Sequence, residues 1–460
     1  MNGANPVPGG MQGTVGSDET SVFPGSLDLE YLNVERGEGV WLQTTDGRRI
    51  LDACSGGTLA ACLGHGIPQV VEAADAQARR IAYYYNHQFT SEPQERLADR
   101  LLSLAPEMAR VRFVSGGSEA NETALQLARL YHVERGDEDR WRVFSTVRGH
   151  TGSTMGALAL SGDRSVREPY EPYLATHLHV PPAAWRADAT GAEALAAIDR
   201  GLEAAGPETI AAFFCEAVSA SAPAAWGPTD GFWHGLEERR RTHGFLVCVD
   251  DVATGVGRVG SWLSTHQLPI EPDIVTLGSG LGAGHAPLGA VLCRQHVYDA
   301  LDRGSREFDL GHTWDGAPLP SAVGLAVLDV IEERDLLTRV HDRGPDLRDQ
   351  LASAMEPLAI VREVRGRGFL LGVALAGHRD LPFPRSTAED IARLVDDIAL
   401  EHELLVRTVH AGNDPEAGVE MVLAPAFTST DDELAEMLER AATVLERVQH
   451  SVDASPRGTP

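Results

Sequence analysis

Between residues 111 and 330 the chain alternates short apolar runs with stretches of helical spacing. That pattern restricts it to a largely parallel sheet wrapped by helices, because each apolar run must be buried between layers. The runs at 111–114, 246–249 and 274–277 each empty into a loop of small or polar residues: SGGSEANE, DDVATG and GSGLGAG. In open α/β sheets, ligands gather outside the carboxyl ends of the strands, so these three loops are the first place to look for chemistry.

The rest of the chain reads as support for that block. Residues 1–27 and 451–460 are rich in Gly, Pro and Ser without periodicity and read as mobile tails. Residues 28–75 read as an N-terminal segment that joins a small domain, with Asp46-Gly47 as a hairpin turn. Residues 76–330 form the expected large domain and 331–450 an α+β small domain. Helical spacing covers 70–84, 95–105, 335–355, 386–402 and 431–449, and 361–373 is strand-like.

Composition narrows the function classes. The 460-residue chain carries a formal charge of −28, and all 39 of its basic residues are arginine; it contains no lysine. Such a balance argues against a nucleic-acid partner, which needs clustered positive charge. A coding bias toward arginine, or removal of lysine in the presence of an amine-reactive metabolite, would each account for the missing lysine. The five cysteines form no metal-ligand spacing and read as reduced, buried thiols, with no metal expected. The longest apolar run, 210–215, is too short to span a bilayer, and no signal pattern opens the chain, so a cytoplasmic protein is expected.

Three motifs carry the chemistry. In FVSGGSEANETALQLAR a strand passes through Gly116, Gly117 and Ser118 into a helix. Helix N-terminal N–H groups suit a phosphate dianion, and Ser118 adds a hydroxyl, although a lone GGS is equally an ordinary capped turn. In LVCVDDVATGVGR, Asp250 sits at a strand end, where it is either a ligand-facing acid or a loop aspartate. In PDIVTLGSGLGAGHAPLG, a strand at 274–277 enters a glycine loop that holds Ser279 and His285.

These segments resemble the class III aminotransferases, pyridoxal 5'-phosphate (PLP) enzymes of fold type I. The glycine loop resembles the family's TLGKGLGAGYAPLG, and the cradle its SGSEANE, with Gly116 in place of Ser. RGHTGSTMGALALSG resembles YHGRTLGALSLTG, GHTWDGAP resembles HTYGGNP, and EMVLAPAF resembles IRFAPPL. The resemblance runs from about Tyr31 to about Val448. It implies that Gly117, Ser118 and Thr313 contact the cofactor phosphate, Thr313 from the neighbouring subunit of a homodimer. It implies that Asp250 pairs with the pyridine nitrogen and that Val252 packs against the ring. His150 stands where an aromatic side chain stacks on the ring, although a solvent-facing loop histidine fits the sequence too. Glu216 stands where the family has a Glu-Pro pair, with Ala217 replacing the proline. Arg365-Gly366-Arg367-Gly368 matches a structural turn. Members that act on amino-acid carboxylates often carry Arg at the position of Val422; its loss suggests a different substrate end, with Arg407 as a possible substitute.

The decisive departure is Ser279, which occupies the position of the Schiff-base lysine. A hydroxyl neither condenses with an aldehyde nor acts as a base near neutrality. One reading is an enzyme that holds PLP or pyridoxamine 5'-phosphate (PMP) non-covalently. It would act on a small-molecule amine by aldimine chemistry that needs no lysine, with His150, His285 or His312 as base. A second is a catalytically inactive chain that pairs with a lysine-bearing paralogue. An engineered serine is a third, and it fits poorly with a chain that has no other lysine.

Overall fold

The computed structural model describes residues 13–181, 190–221, 223–375, 388–410 and 418–453. At the N-terminus, strands β1 (Val34–Glu38), β2 (Trp41–Thr44) and β3 (Arg49–Asp52) form an antiparallel meander. Gly47, at φ 90, makes the β2–β3 turn, and glycine takes that conformation without steric cost.

The centre is a seven-stranded sheet of β4 (Arg110–Val114), β5 (Arg142–Thr146), β6 (Leu178–Val180), β7 (Ile210–Glu216), β8 (Leu246–Asp250), β9 (Ile274–Leu277) and β10 (Gly289–Cys293). Its spatial order is β4-β10-β9-β8-β7-β5-β6. All neighbours run parallel except at β10, which is antiparallel to both β9 and β4. Successive residues of β7 show burial on both faces. Phe214 packs with Ala124, Leu127 and Ala128 of the helix Gly117–Glu134. Phe213 packs on the other side with Ile198, Phe232, Trp233 and Leu236. Side chains alternate faces along a strand, so an unbroken apolar run is what a helix-covered sheet requires.

The C-terminal part holds β11 (Val361–Arg367), β12 (Leu370–Leu375), β13 (Leu404–Leu405), β14 (Arg407–His410) and β15 (Val419–Leu423). Four of these form an antiparallel sheet, β11-β12-β15-β14, while β13 pairs with β3 and so extends the N-terminal meander. One continuous core joins the parts: Leu277 and Leu281 belong with Phe369, Leu423 and Val444 to a single buried cluster.

Three expectations change. The helix expected over 70–84 is Pro68–Arg80; Ile81 turns extended, and the β-branched and aromatic residues that follow are weak helix formers. The strand-like segment 361–373 is a hairpin broken at Gly368, φ 56. Residues 13–27 are not a featureless tail. Thr14–Val15 pairs with Tyr31–Leu32, tied down by the Gly13 N–H to Thr45 Oγ1 (3.1 Å) and the Asn33 N–H to the Gly13 carbonyl (3.1 Å). Residues 1–12 and 454–460 of the expected tails lie outside the described residues, while the helix Asp431–Asp453 carries into the expected C-terminal tail. No helix among the described residues is long and apolar enough to cross a membrane, and among them no cluster of metal-ligating side chains occurs.

Candidate functional site

The parallel register places two carboxyls side by side at the ligand edge of the sheet: Asp250 of β8 is the partner of Glu216 of β7. Asp250 is 5% exposed. Its Oδ2 accepts from Asn121 Nδ2 (2.6 Å) and its Oδ1 from the Val252 N–H (3.0 Å). Asn121 is itself clamped, because Thr276 Oγ1 donates to its Oδ1 (2.7 Å) and its Nδ2 reaches the Thr151 carbonyl (2.7 Å). Burial, then the neighbouring Glu216 charge, pushes the Asp250 carboxyl up to about 8. Burial also raises Glu216, against hydrogen bonds from the Ala220 N–H (3.2 Å), the Ser219 and Ser221 hydroxyls (3.2 and 3.3 Å) and the His150 N–H. A buried and a half-buried acid, with no cation paired to them among the described residues, make a site that favours a bound positive group.

Beside the acids lies the glycine cradle. The Gly117–Glu134 helix begins directly after β4, and its first-turn N–H groups have no intrahelical acceptors. Ser118 Oγ accepts from the Ser153 N–H (3.0 Å), which leaves its own proton available to an anion. Val252 fills the space between two glycines. A Cβ on Gly117 would come within 2.5 Å of Val252 Cγ1, and one on Gly278 within 2.3 Å. Both positions therefore need glycine for a reason the sequence alone does not reveal.

Ser279 opens a 3-10 turn, Ser279–Gly282, one residue beyond β9. Because Thr276 is the register partner of Asp250, the turn rises from the same edge as the acids. His285 is partly buried; its Nδ1 lies 2.8 Å from the Ala283 carbonyl, and its Nε2 has no hydrogen-bond partner among the described residues. His150 follows Arg148, a non-glycine at φ 73. Its side chain reaches solvent, yet the surrounding protein, and then the Arg407 cation, hold its imidazole below the ordinary value. Ser55, Leu59, Arg148, Ala225, Val256 and Ala283 are among the non-glycine residues that adopt positive φ.

Thr313 is exposed on the loop 311–316. That loop is anchored by Asp315, which pairs with Arg112 (3.1 Å) and accepts from the His312 N–H (3.1 Å). His312 Nδ1 lies 3.7 Å from Glu119 of the cradle helix. Val422 is 0% exposed, inside an apolar cluster, and offers no surface to a ligand. Arg407 is its partner across the β14–β15 register. Sequence reading missed Asn121, Thr276, Ser219 and Ser221 as supporting residues. Asn121 stands within SEANE, but nothing local marks its partners.

Known proteins share this fold. A model of the family "Aminotransferase class-III" matches residues 24–445. An uncharacterized aminotransferase, YodT, of Bacillus subtilis is 32% identical over 422 residues, 90% of this chain and 94% of its own. A transaminase structure from the marine bacterium Virgibacillus superposes with a TM-score of 0.87 at 26% identity, covering 94% of this chain and 98% of that one. An amine transaminase from an uncultivated Pseudomonas species, solved in its PLP-bound internal aldimine form, superposes with a TM-score of 0.84 at 31% identity, covering 93% and 97%. The mixed, mostly parallel sheet with its attached α+β part is the PLP fold type I, and the chain belongs to the class III aminotransferase family.

Proposed function

We propose that this chain binds PLP or PMP without a covalent link and moves amino groups on a small-molecule amine. The observation that carries this reading is the buried Asp250, held by Asn121 and Val252 beside Glu216, with no cation in reach among the described residues. A protonated pyridine nitrogen is a positive group of the right kind for that acid, and the cradle donors suit a phosphate. The residues present therefore fit the group. When bound, the cofactor supplies an electron sink for the carbon that carries the amino group.

The chain's own residues do the rest. Asp250 holds a proton on the ring nitrogen side, and Asn121 keeps its carboxylate aimed. Gly117 and Ser118 would hold the phosphate, and Val252 and His150 would pack against the ring. Ser279 contributes a neutral hydroxyl where a covalent anchor needs an amine, so retention rests on charge and hydrogen bonds. His150, pushed toward its neutral form, can accept a proton near pH 7. His285 is the second candidate base through its unpartnered Nε2.

Exposed Tyr83, Tyr85, Phe89, Leu310 and Trp314 surround the Thr313 loop or stand near it in sequence, with Tyr83 and Trp314 in edge contact (5.4 Å). That apolar surface supports a homodimer in which Thr313 reaches the partner subunit's phosphate cradle. Five free, buried thiols suit a reducing cytoplasm. The absence of any lysine keeps a second reading open: the same surface would serve a lysine-bearing paralogue, with this chain as a non-catalytic partner.

Titration with PLP and then PMP, followed by ultraviolet-visible absorption and thermal shift, tests the first reading. The expected result is saturable binding of at least one. Borohydride treatment then leaves the protein mass unchanged after denaturation. No response to either compound overturns it. Amino transfer that appears only on mixing with a lysine-bearing class III chain selects the partner reading.

A further inference from the structure

A cavity of about 510 Å³ lies beside the cradle helix, and Asp250, Ser118 and Ser279 do not line it. Strand register sets one of its walls. Arg110 and Arg112 of the edge strand β4 are the ladder partners of Cys293 and Val291 of β10. Directly opposed residues share a face of the sheet, as do residues two apart on a strand. Two guanidinium side chains and two apolar ones therefore stand on one side of the sheet. Leu127 of the cradle helix and Leu301 of the helix Gln295–Arg303 pack with Val291 and Cys293 on that side. The loop 311–316 adds Asp315 to the lining.

Two groups of opposite charge stand open in this cavity. Asp315 is 7% exposed, and its Oδ2 accepts from Arg112 Nε (3.2 Å) and Nη2 (3.1 Å). Its Oδ1 is buried and has no hydrogen-bond partner among the described residues. A buried carboxylate oxygen without a donor is costly, so the cavity asks for one. Arg110 stacks over the Tyr298 ring (4.1 Å), and its Nη1 donates to the Ala109 carbonyl (2.7 Å). It meets no carboxylate among the described residues. Because Arg112 holds Asp315 and stands two residues from Arg110 on the same face, the two open groups are neighbours.

We propose that this cavity is a second ligand site, which takes a zwitterionic amino acid with an apolar side chain. The ammonium donates to Asp315 Oδ1, and the carboxylate takes the guanidinium of Arg110. An ammonium brings three donors to a carboxylate, and a planar guanidinium selects a carboxylate over a neutral amide. Leu127, Val291 and Leu301 offer the apolar surface that a side chain between those two ends requires. The site shares none of the residues assigned to the cofactor, so it stands whether or not the amino-transfer reading does.

The test uses the full chain and three probes: leucine, leucinamide, which lacks the carboxylate, and N-acetyl-leucine, which lacks the ammonium. Calorimetry and thermal shift should show saturable binding of leucine. Each analogue should bind roughly tenfold more weakly or worse, as expected for loss of a charge-assisted pair. Arg110→Gln should weaken leucine by a similar factor, roughly tenfold, and leave the ligand-free melting temperature nearly unchanged, because Arg110 is exposed. Added PMP should leave leucine affinity nearly unchanged. No saturable leucine binding, or equal binding of leucine and either analogue by the unaltered protein, overturns the proposal whether or not the variant folds. So does unchanged leucine affinity in Arg110→Gln. Loss of leucine binding on adding PMP also overturns it, by placing the amino acid at the Asp250 site.

Discussion

The side of the site built from Asp250, Asn121 and Thr276 differs from the side built from His150 and Arg407 in how its polar groups are satisfied. On the first side, buried atoms from β8, β9 and the cradle helix saturate one another, and Val252 is wedged between two glycines. On the second, the histidine reaches solvent and the arginine has no acceptor among the described residues. Of the positions at which the sequence differs from the motifs it resembles, 150 and 422 lie on or next to this second side, while 116 and 279 lie beside the first. A saturated network tolerates little change, because each lost partner strands another buried group. Open groups can be exchanged without that penalty, so ligand preference can diverge while the binding frame stays.

That contrast can be broken by substitution. Asp250→Asn keeps the shape but removes the charge, and should cost cofactor affinity about 2–5 kcal/mol, as for a buried charge pair with one partner removed; a change below twofold in a PMP titration would sink the assignment. Asn121→Ala should destabilise the chain by about 1–3 kcal/mol by stranding Thr276 and Asp250 in the interior, measurable in denaturant. Gly117→Ala forces a Cβ onto Val252 and should cost a similar 1–3 kcal/mol by overpacking. Adding Val252→Ala should recover part of it, and strict additivity would show that the two residues do not press on each other. Ser221→Ala, which removes one of several hydrogen bonds to Glu216, should cost only about 0.5–1.5 kcal/mol in stability and leave cofactor affinity nearly unchanged.

A gentler probe is pH. The Asp250 carboxyl is raised to about 8 in the folded chain, far above an unfolded aspartate, so the native state binds the extra proton between the two values. Stability from this group is full below the unfolded value and is lost as pH rises toward about 8. The ligand-free protein should therefore melt at progressively lower temperature from pH 5 to pH 8. In Asp250→Asn that slope should flatten, and an unchanged slope would assign it to other groups.

The frame of the site was largely readable from the chain. The run at 274–277 is a strand with those same ends, and the cradle helix starts at Gly117 as its glycines suggest. Long-range register was not readable. Asn121 meets Asp250 across 129 residues and Thr276 across 155, distances over which no periodicity carries information. Val422 illustrates the same limit. Its place in a motif suggests contact with ligand, but only strand pairing reveals that it is wholly buried and that the neighbouring rung belongs to Arg407.

The reversed strand β10 has a consequence for Ser279. A loop between parallel strands must travel to the far edge of the sheet before the chain re-enters it. Here the chain leaves β9 and enters β10 at one edge, so the segment between them is an arch with both feet in the sheet. Leu281 is anchored in the core beneath it, and Cys62 Sγ braces its crown at the Gly280 carbonyl (3.3 Å). Such an arch presents whichever side chain occupies position 279 from a stationary mount. Exchanging that residue alters the chemistry on offer while the path of the backbone is held from both ends.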